Sequence, residues 1–239
     1  MSVAPHLSIV VPVYNEETII ESAARELVAG LDERHIDFEI IFAENGSRDR
    51  TPELLEGLSK REPRIRWFHS ETPNYGSALK RGILEARGEL VVCDEIDLCD
   101  LVFYDAALPM LESREADLVV GSKAARGASD QRPLVRRAAT RVHNALLRAT
   151  LGFQGTDTHG LKAFRRDRLV PIVHQCLVDM DVFASELVVR AWRDDRLKVQ
   201  EIPIQLQEKR QPSIHLFKRV PNVLKNVGRL VYVIRIRGR

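Results

Sequence analysis

The stretch "GELVVCDEIDLCD" (residues 88–100) holds four carboxylates, Asp94, Glu95, Asp97 and Asp100, directly after the apolar run Leu90–Cys93. Packed so closely, these side chains repel one another unless something opposes their charge. Two readings are open. They are solvated loop acids and helix caps, or Glu95 and Asp97 turn toward one point and hold a hard divalent cation, Mg2+ or Mn2+. Such a cation takes one or two carboxylates and completes its shell from a diphosphate. A second cluster is cationic: "GSKAARGASDQRPLVRRAATR" carries Lys123, Arg126, Arg132, Arg136, Arg137 and Arg141. Guanidinium forks suit phosphate oxygens. Arg137 and Arg141, four residues apart, read as a solvated helix face.

Something must bring these groups to one place, and the chain pattern supplies it. Apolar runs at Leu7–Val13, Phe38–Glu44, "IRWF", "ELVVC" and "DLVVGS" read as strands. Between them lie helical spacings: about Glu16–Leu31, a helix opened by Thr51 as N-cap with Pro52 behind it, Gly76–Ala86 and Tyr104–Glu112. Arg136–Leu151 continues the series. Alternation of this kind predicts an α/β fold, a Rossmann-like, mostly parallel sheet flanked by helices. Ligands of such sheets sit outside the carboxyl ends of the strands. "PVYNE", "ENGSRD" and "DEID" all follow strand ends at that edge.

The 239 residues, 44% hydrophobic and 29% charged, suit an ordinary globular domain. Cys93, Cys99 and Cys176 have no disulfide or zinc spacing, which points to a reducing compartment. No signal-peptide pattern and no long apolar run is read in the sequence. The net charge of +2 is uneven. Residues 208–239 hold nine Lys/Arg against one acid, which leaves a net −6 on the rest. A basic tail points to an anionic partner. From Pro221 its apolar residues follow helical spacing, so a basic amphipathic C-terminal helix is expected. About 24 Å of helix is too short for a bilayer core of roughly 30 Å. It would lie on a membrane surface, or dock on the domain or a partner subunit. Few aromatics and no known module argue against nucleic acid.

The ordered set "LSIVVPVYNEE", "ENGSRDRT", "NYGSALKRGI", "GELVVCDEID", "VVGSK" and "DTHGLKAFRR" resembles glycosyltransferase family 2, with its GT-A fold. It is most similar to the dolichyl- or polyprenyl-phosphate sugar synthases, over roughly Leu7–Ser213. The resemblance implies a GT-A domain over residues 1–213, with a nucleotide-sugar half at about 1–100 and an acceptor half at about 101–213, followed by a tail at 214–239. It implies an inverting transfer from a GDP- or UDP-sugar to a polyprenyl phosphate by a peripheral protein on the inner, cytoplasmic membrane face. By position it implies nucleotide contacts at Pro12, Tyr14, Glu16, Glu44, Asn45, Asn74, Gly76 and Glu95. Glu95 and Asp97 match the metal motif, and Asp157 and Gly160 match a segment near the sugar. Lys123, Arg136, Arg210 and Ser213 match residues around the acceptor phosphate. Asp97, Asp157, Lys123 and Arg136 form the implied catalytic set.

Two departures stand out. Glu95 replaces an Asp, and Cys99 stands where a metal-site Gln is common; Asp94 and Asp100 are candidates to replace it. His159 reads as a local hydrogen-bonding residue, Glu186 as structural, and Trp67 and Trp192 as core. Transfer to an ionised phosphate needs no general base, whereas transfer to a hydroxyl does. The alternatives are therefore a soluble hydroxyl acceptor with Asp157 or Asp181 as base, and a non-catalytic nucleotide-binding relative.

Overall fold

The computed structural model describes residues 4–125, 127–130, 134–178, 182–206 and 220–237. Strands β1 (Leu7–Val13), β2 (Phe38–Glu44), β3 (Ile65–Phe68) and β4 (Leu90–Cys93) alternate with helices α1 (Ile20–Glu33), α2 (Thr51–Arg61) and α3 (Tyr75–Glu85). Then come α4 (Leu101–Glu112), β5 (Leu118–Ser122), a short β6 (Ser129–Asp130) and α5 (Leu134–Leu151). After these follow β7 (Lys162–Arg165), α6 (Arg166–Gln175), α7 (Phe183–Arg193), β8 (Val199–Pro203) and β9 (Gln205–Leu206). The described chain closes with α8 (Val220–Val231), which runs into a π-helical segment, Tyr232–Arg237.

One seven-stranded sheet has the order β3-β2-β1-β4-β7-β5-β8, while β6 pairs with β9 alone. All pairings are parallel except those of β7, which lies antiparallel between β4 and β5. Every residue of β1 and β2 is buried, as continuous apolar strands between two helical layers must be. One core packs Ile20, Leu27, Leu31 and Tyr104 over one sheet face. The other packs Ile83, Leu147, Leu187 and Leu230 over the opposite face.

Three expected helix starts move, α4 opening at Leu101 rather than about Tyr104 because Asp100 caps it. The first helix begins at Ile20, not near Glu16, because the Glu16 and Glu17 N–H groups donate to Thr51 Oγ1 and Asp49 Oδ2. With its hydroxyl engaged there, Thr51 does not cap α2; Arg50 is the N-cap residue, and Asp49 Oδ1 accepts the Thr51 N–H. Trp67 and Trp192 pack against the two cores as expected. The C-terminal helix docks on the domain: Val227, Leu230, Val233 and Ile234 are buried in the second core. Among the described residues no helix is long and apolar enough to cross a membrane.

Candidate active site

The loops after β1 and β2 are laced together. Asn15, with φ of 54°, donates its N–H to Ser47 Oγ and accepts the Arg48 N–H on Oδ1. Asn45 donates its N–H to Val13 O and accepts the Asn74 N–H at 2.5 Å. Asn74 in turn caps α3 by accepting the Ser77 N–H. Tyr14 is exposed at this edge, whereas Pro12 and Gly76 are buried in the framework beneath it.

Glu44, expected at a nucleotide contact, lies at the carboxyl end of β2, beneath the loop that follows. It is fully buried, and its oxygens accept from the Ser47 N–H and from His69 Nδ1. Burial would raise its carboxyl, but the Ser47, His69 and Gly46 hydrogen bonds hold it below the usual range. It fixes the loop and orients His69, which is half exposed at 48%.

Pro12 helps explain why the chain leaves the sheet at the carboxylates. Val10 O accepts the Asp94 N–H, so even-numbered β1 positions face β4. The next such position is Pro12, which has no N–H to extend the ladder. Beyond it the backbone wraps into a turn, with Leu98 and Cys99 N–H donating to Glu95 O.

That turn sorts the four acids. Asp94 is buried and accepts the Tyr104 hydroxyl at 2.5 Å; burial pushes its carboxyl up to about 7. Asp100 caps α4, accepting from the Val102 and Phe103 N–H groups. Both acids thus serve structural partners, Asp94 through Tyr104 and Asp100 through the α4 amino end. Cys99 Sγ lies against the Glu95 and Ile96 carbonyls. Glu95 and Asp97 remain, and among the described residues their side chains accept no hydrogen bond. The crowded cleft and Asp97 both raise the Glu95 carboxyl. Among the described residues no three His, Cys, Asp or Glu side chains converge to hold a metal. Two hard, mutually repelling oxygen donors fit a divalent cation whose other ligands come from a diphosphate.

Opposite stands the Lys123–Asp157 pair, 3.5 Å apart. Glu201 positions it from β8 by accepting the Thr156 and Asp157 N–H groups and the Thr156 hydroxyl. Burial would raise the Asp157 carboxyl, yet Lys123 and the His159 N–H hold it below the usual range. Gly160 is required by close approach: a Cβ there would sit 1.7 Å from the Gly121 carbonyl oxygen. Glu95 lies within electrostatic reach of Lys162, Lys123 and Asp157. The expected residues Glu95, Asp97, Lys123 and Asp157 therefore converge.

Several site groups escaped the sequence reading. Lys162 is buried on β7 opposite Cys93, bonded to Gly160 O, and lowered in pKa first by burial. Tyr75, 39% exposed, lies within electrostatic reach of Glu95, Asp94 and Asp97. His143 on α5 has both ring nitrogens buried and unbonded, its ring 6.0 Å from that of His159. Arg141 is exposed, as expected of a solvated face, and Arg137 is half-buried; both also border an open cavity of about 340 Å³ with Lys123, Asn144, Arg148 and Thr156. Helical spacing could have flagged the run 137, 141, 144, 148 as one stripe. Glu186 is structural as expected, buried and bonded to Arg190 and the Leu177 and Val178 N–H groups. Arg126, Arg132, Asp181, Arg210 and Ser213 lie outside the described residues, as does the Arg136 side chain.

The glycosyl transferase family 2 model matches residues 8–171. The glycosyltransferase AglD of Haloferax volcanii is 29% identical over 238 residues, covering 98% of this chain and 38% of that protein. A dolichyl-phosphate beta-glucosyltransferase of Trichomonas vaginalis is 27% identical over 216 residues, covering 85% of this chain and 66% of that protein. The chain thus spans less than two thirds of either relative's length. A solved glucosyl-3-phosphoglycerate synthase from Mycobacterium tuberculosis, in complex with Mn2+, UDP-glucose and phosphoglyceric acid, superposes with a TM-score of 0.65. It is 21% identical and covers 95% of this chain and 80% of its own, a likeness of GT-A fold.

Proposed function

The chain belongs to glycosyl transferase family 2, and from that membership we propose that it transfers a hexose, with inversion, from a GDP- or UDP-linked donor to a polyprenyl phosphate at the cytoplasmic membrane face. The observation that carries this reading is the Lys123–Asp157 pair, 3.5 Å apart, with Lys162 bonded to Gly160 O beside it, all within electrostatic reach of Glu95. The T. vaginalis relative, named for dolichyl phosphate, supports the acceptor class.

In this reading Tyr14, Asn45 and the α3 amino end face the nucleotide. Glu95 and Asp97 would hold Mg2+ or Mn2+, the latter present in the M. tuberculosis complex. A bound divalent cation would stabilise the negative charge that develops on the departing diphosphate. Lys123 draws the acceptor phosphate toward the anomeric carbon, where an ionised phosphate oxygen attacks without a general base. Asp157 stands beside Lys123 at 3.5 Å, and Lys123 helps keep it ionised. Exposed Leu224, Tyr232 and Ile236 stand among Lys225, Arg229, Arg235 and Arg237, with no acid from 220 to 237. A surface of that chemistry suits anionic headgroups. The second reading is a soluble phosphorylated acceptor, favoured by the cationic cavity on α5.

The test is calorimetric titration of UDP- and GDP-sugars with Mn2+ or with EDTA, on wild type and Asp97→Ala, followed by transfer to undecaprenyl phosphate in vesicles. Metal-dependent binding of one nucleotide class, lost in Asp97→Ala and coupled to lipid transfer, is expected. Binding indifferent to metal and to Asp97 would sink the metal role. Metal-dependent binding without lipid transfer would move the acceptor to the second reading.

A further inference from the structure

Strand β3 ends at Phe68, and the next residue, His69, stands half exposed at the carboxyl edge of the sheet. Three elements fix it. Glu44, buried at the end of β2, accepts from His69 Nδ1 and, through its main-chain oxygen, from the Ser70 N–H. Arg81 of α3 covers the Phe68 ring and donates to His69 O. The loop after β2 closes on the loop after His69: at Gly46, with φ of 78°, a Cβ would lie 3.0 Å from Ser70 O. Glu44 also decides the tautomer. Its other side-chain oxygen accepts the Ser47 N–H, and its carboxyl is held below the usual range, so it is an ionised acceptor with no proton to give. In a neutral imidazole the hydrogen then sits on Nδ1, and Nε2 is a bare acceptor. Among the described residues nothing bonds that Nε2.

The strand order β3-β2-β1-β4 places His69 three strands from the Glu95–Asp97 turn, about 14 Å at the usual strand spacing. On the other side of β4 stand Lys123, Asp157 and Lys162. A diphosphate anchored at Glu95 and Asp97 therefore runs its nucleoside the opposite way, over β1 and β2, and its base ends at β3. We infer that His69 selects the donor base: its Nε2 accepts the ring N–H of a lactam base, N3–H of uracil or N1–H of guanine. Glu44 is the positioning residue that keeps Nε2 bare. This rests on the transferase reading above and supplies the residue that distinguishes UDP and GDP from CDP and ADP. Cytosine and adenine put a ring lone pair where uracil and guanine carry that hydrogen. Two acceptors would then face each other, and Nε2 would stay unpaired.

The test is calorimetric titration of the full chain with UDP, CDP, GDP and ADP, each with Mn2+, at about pH 8, where an ordinary histidine is neutral. The tighter of UDP and GDP identifies the base. It is expected to bind about tenfold or more tightly than its amino counterpart, CDP for UDP or ADP for GDP, the scale of one hydrogen bond gained against one acceptor left unpaired. His69→Asn keeps a donor for Glu44 but puts no atom at the Nε2 position. It should bring that ratio to within about twofold of unity, while pyrophosphate binding with Mn2+ stays within about twofold of wild type. Long-range proton–nitrogen correlation spectra report the tautomer: a hydrogen on Nδ1, and an Nε2 resonance that moves when the preferred nucleotide is added, are expected. If His69 were only a brace, His69→Asn would lower stability and leave the ratio unchanged, which would overturn the inference. So would a neutral ring with its hydrogen on Nε2. Equal binding of all four nucleotides defeats this inference alone, and absent binding of any of them defeats the donor reading on which it rests.

Discussion

Replacing Leu230 by alanine tests whether the basic helix belongs to the domain. Leu230 is fully buried, and Val227, Val233 and Ile234 beside it are at most 7% exposed, in the core that also holds Leu147 and Leu151 of α5. Truncating such a leucine removes its transfer free energy and leaves a cavity, together about 3 kcal/mol. That is a large part of a typical total stability of about 5–15 kcal/mol. In urea the unfolding midpoint should fall by about 1 M at unchanged slope. Trp192 is a suitable reporter, since it packs on the same core with its ring 6.4 Å from that of Phe153. The control is Leu224→Ala, at a position 55% exposed. It should change stability by less than about 0.5 kcal/mol, and it should weaken binding to anionic vesicles. If Leu230→Ala left the midpoint where it was, the helix would not be docked in solution. The packing argument would then fail, and the buried face would be free to meet a membrane.

Other outcomes follow from the site. Glu44→Gln should lose about 1–3 kcal/mol near pH 7, where the folded carboxylate is stabilised by its N–H donors. A depressed folded pKa means the unfolded chain binds more protons in acid, so this contribution is present above the unfolded value and disappears as pH falls through the folded one. The gap between wild type and variant, followed by urea titration, should therefore close below about pH 4; a gap constant from pH 3 to 7 would contradict the assignment. Gly160→Ala puts a methyl where the Gly121 carbonyl oxygen already lies, and should destabilise the Asp157 loop by about 2 kcal/mol or more. Transfer activity should fall with it, and unchanged melting of this variant would show that the close approach does not exist in solution.

Much of the framework was legible before folding. Strand and helix periodicity is a local property, so the strands at Leu7–Val13, Phe38–Glu44 and Ile65–Phe68 read directly. The residue types for cation and phosphate chemistry were equally plain, because spacing within one loop places Glu95 beside Asp97. Only tertiary structure decided which like residues do what. Asp94 and Glu95 are neighbours in sequence, but Tyr104 on α4 claims the first and leaves the second facing the cleft. That Glu44 is buried and bonded to His69 and the Ser47 N–H was invisible in the sequence. Arg137 and Arg141 read as a solvated face, and only the Asn144–Thr156 contact shows that this face borders the Lys123 loop. The antiparallel β7, which brings Lys162 to the site, has no local signature at four residues. The Pro221 helix satisfied the pattern of a membrane-lying and of a docked helix alike. The physical reason is common to all of these: periodicity reports which face of an element is apolar, whereas burial and partnership depend on segments brought together from distant parts of the chain.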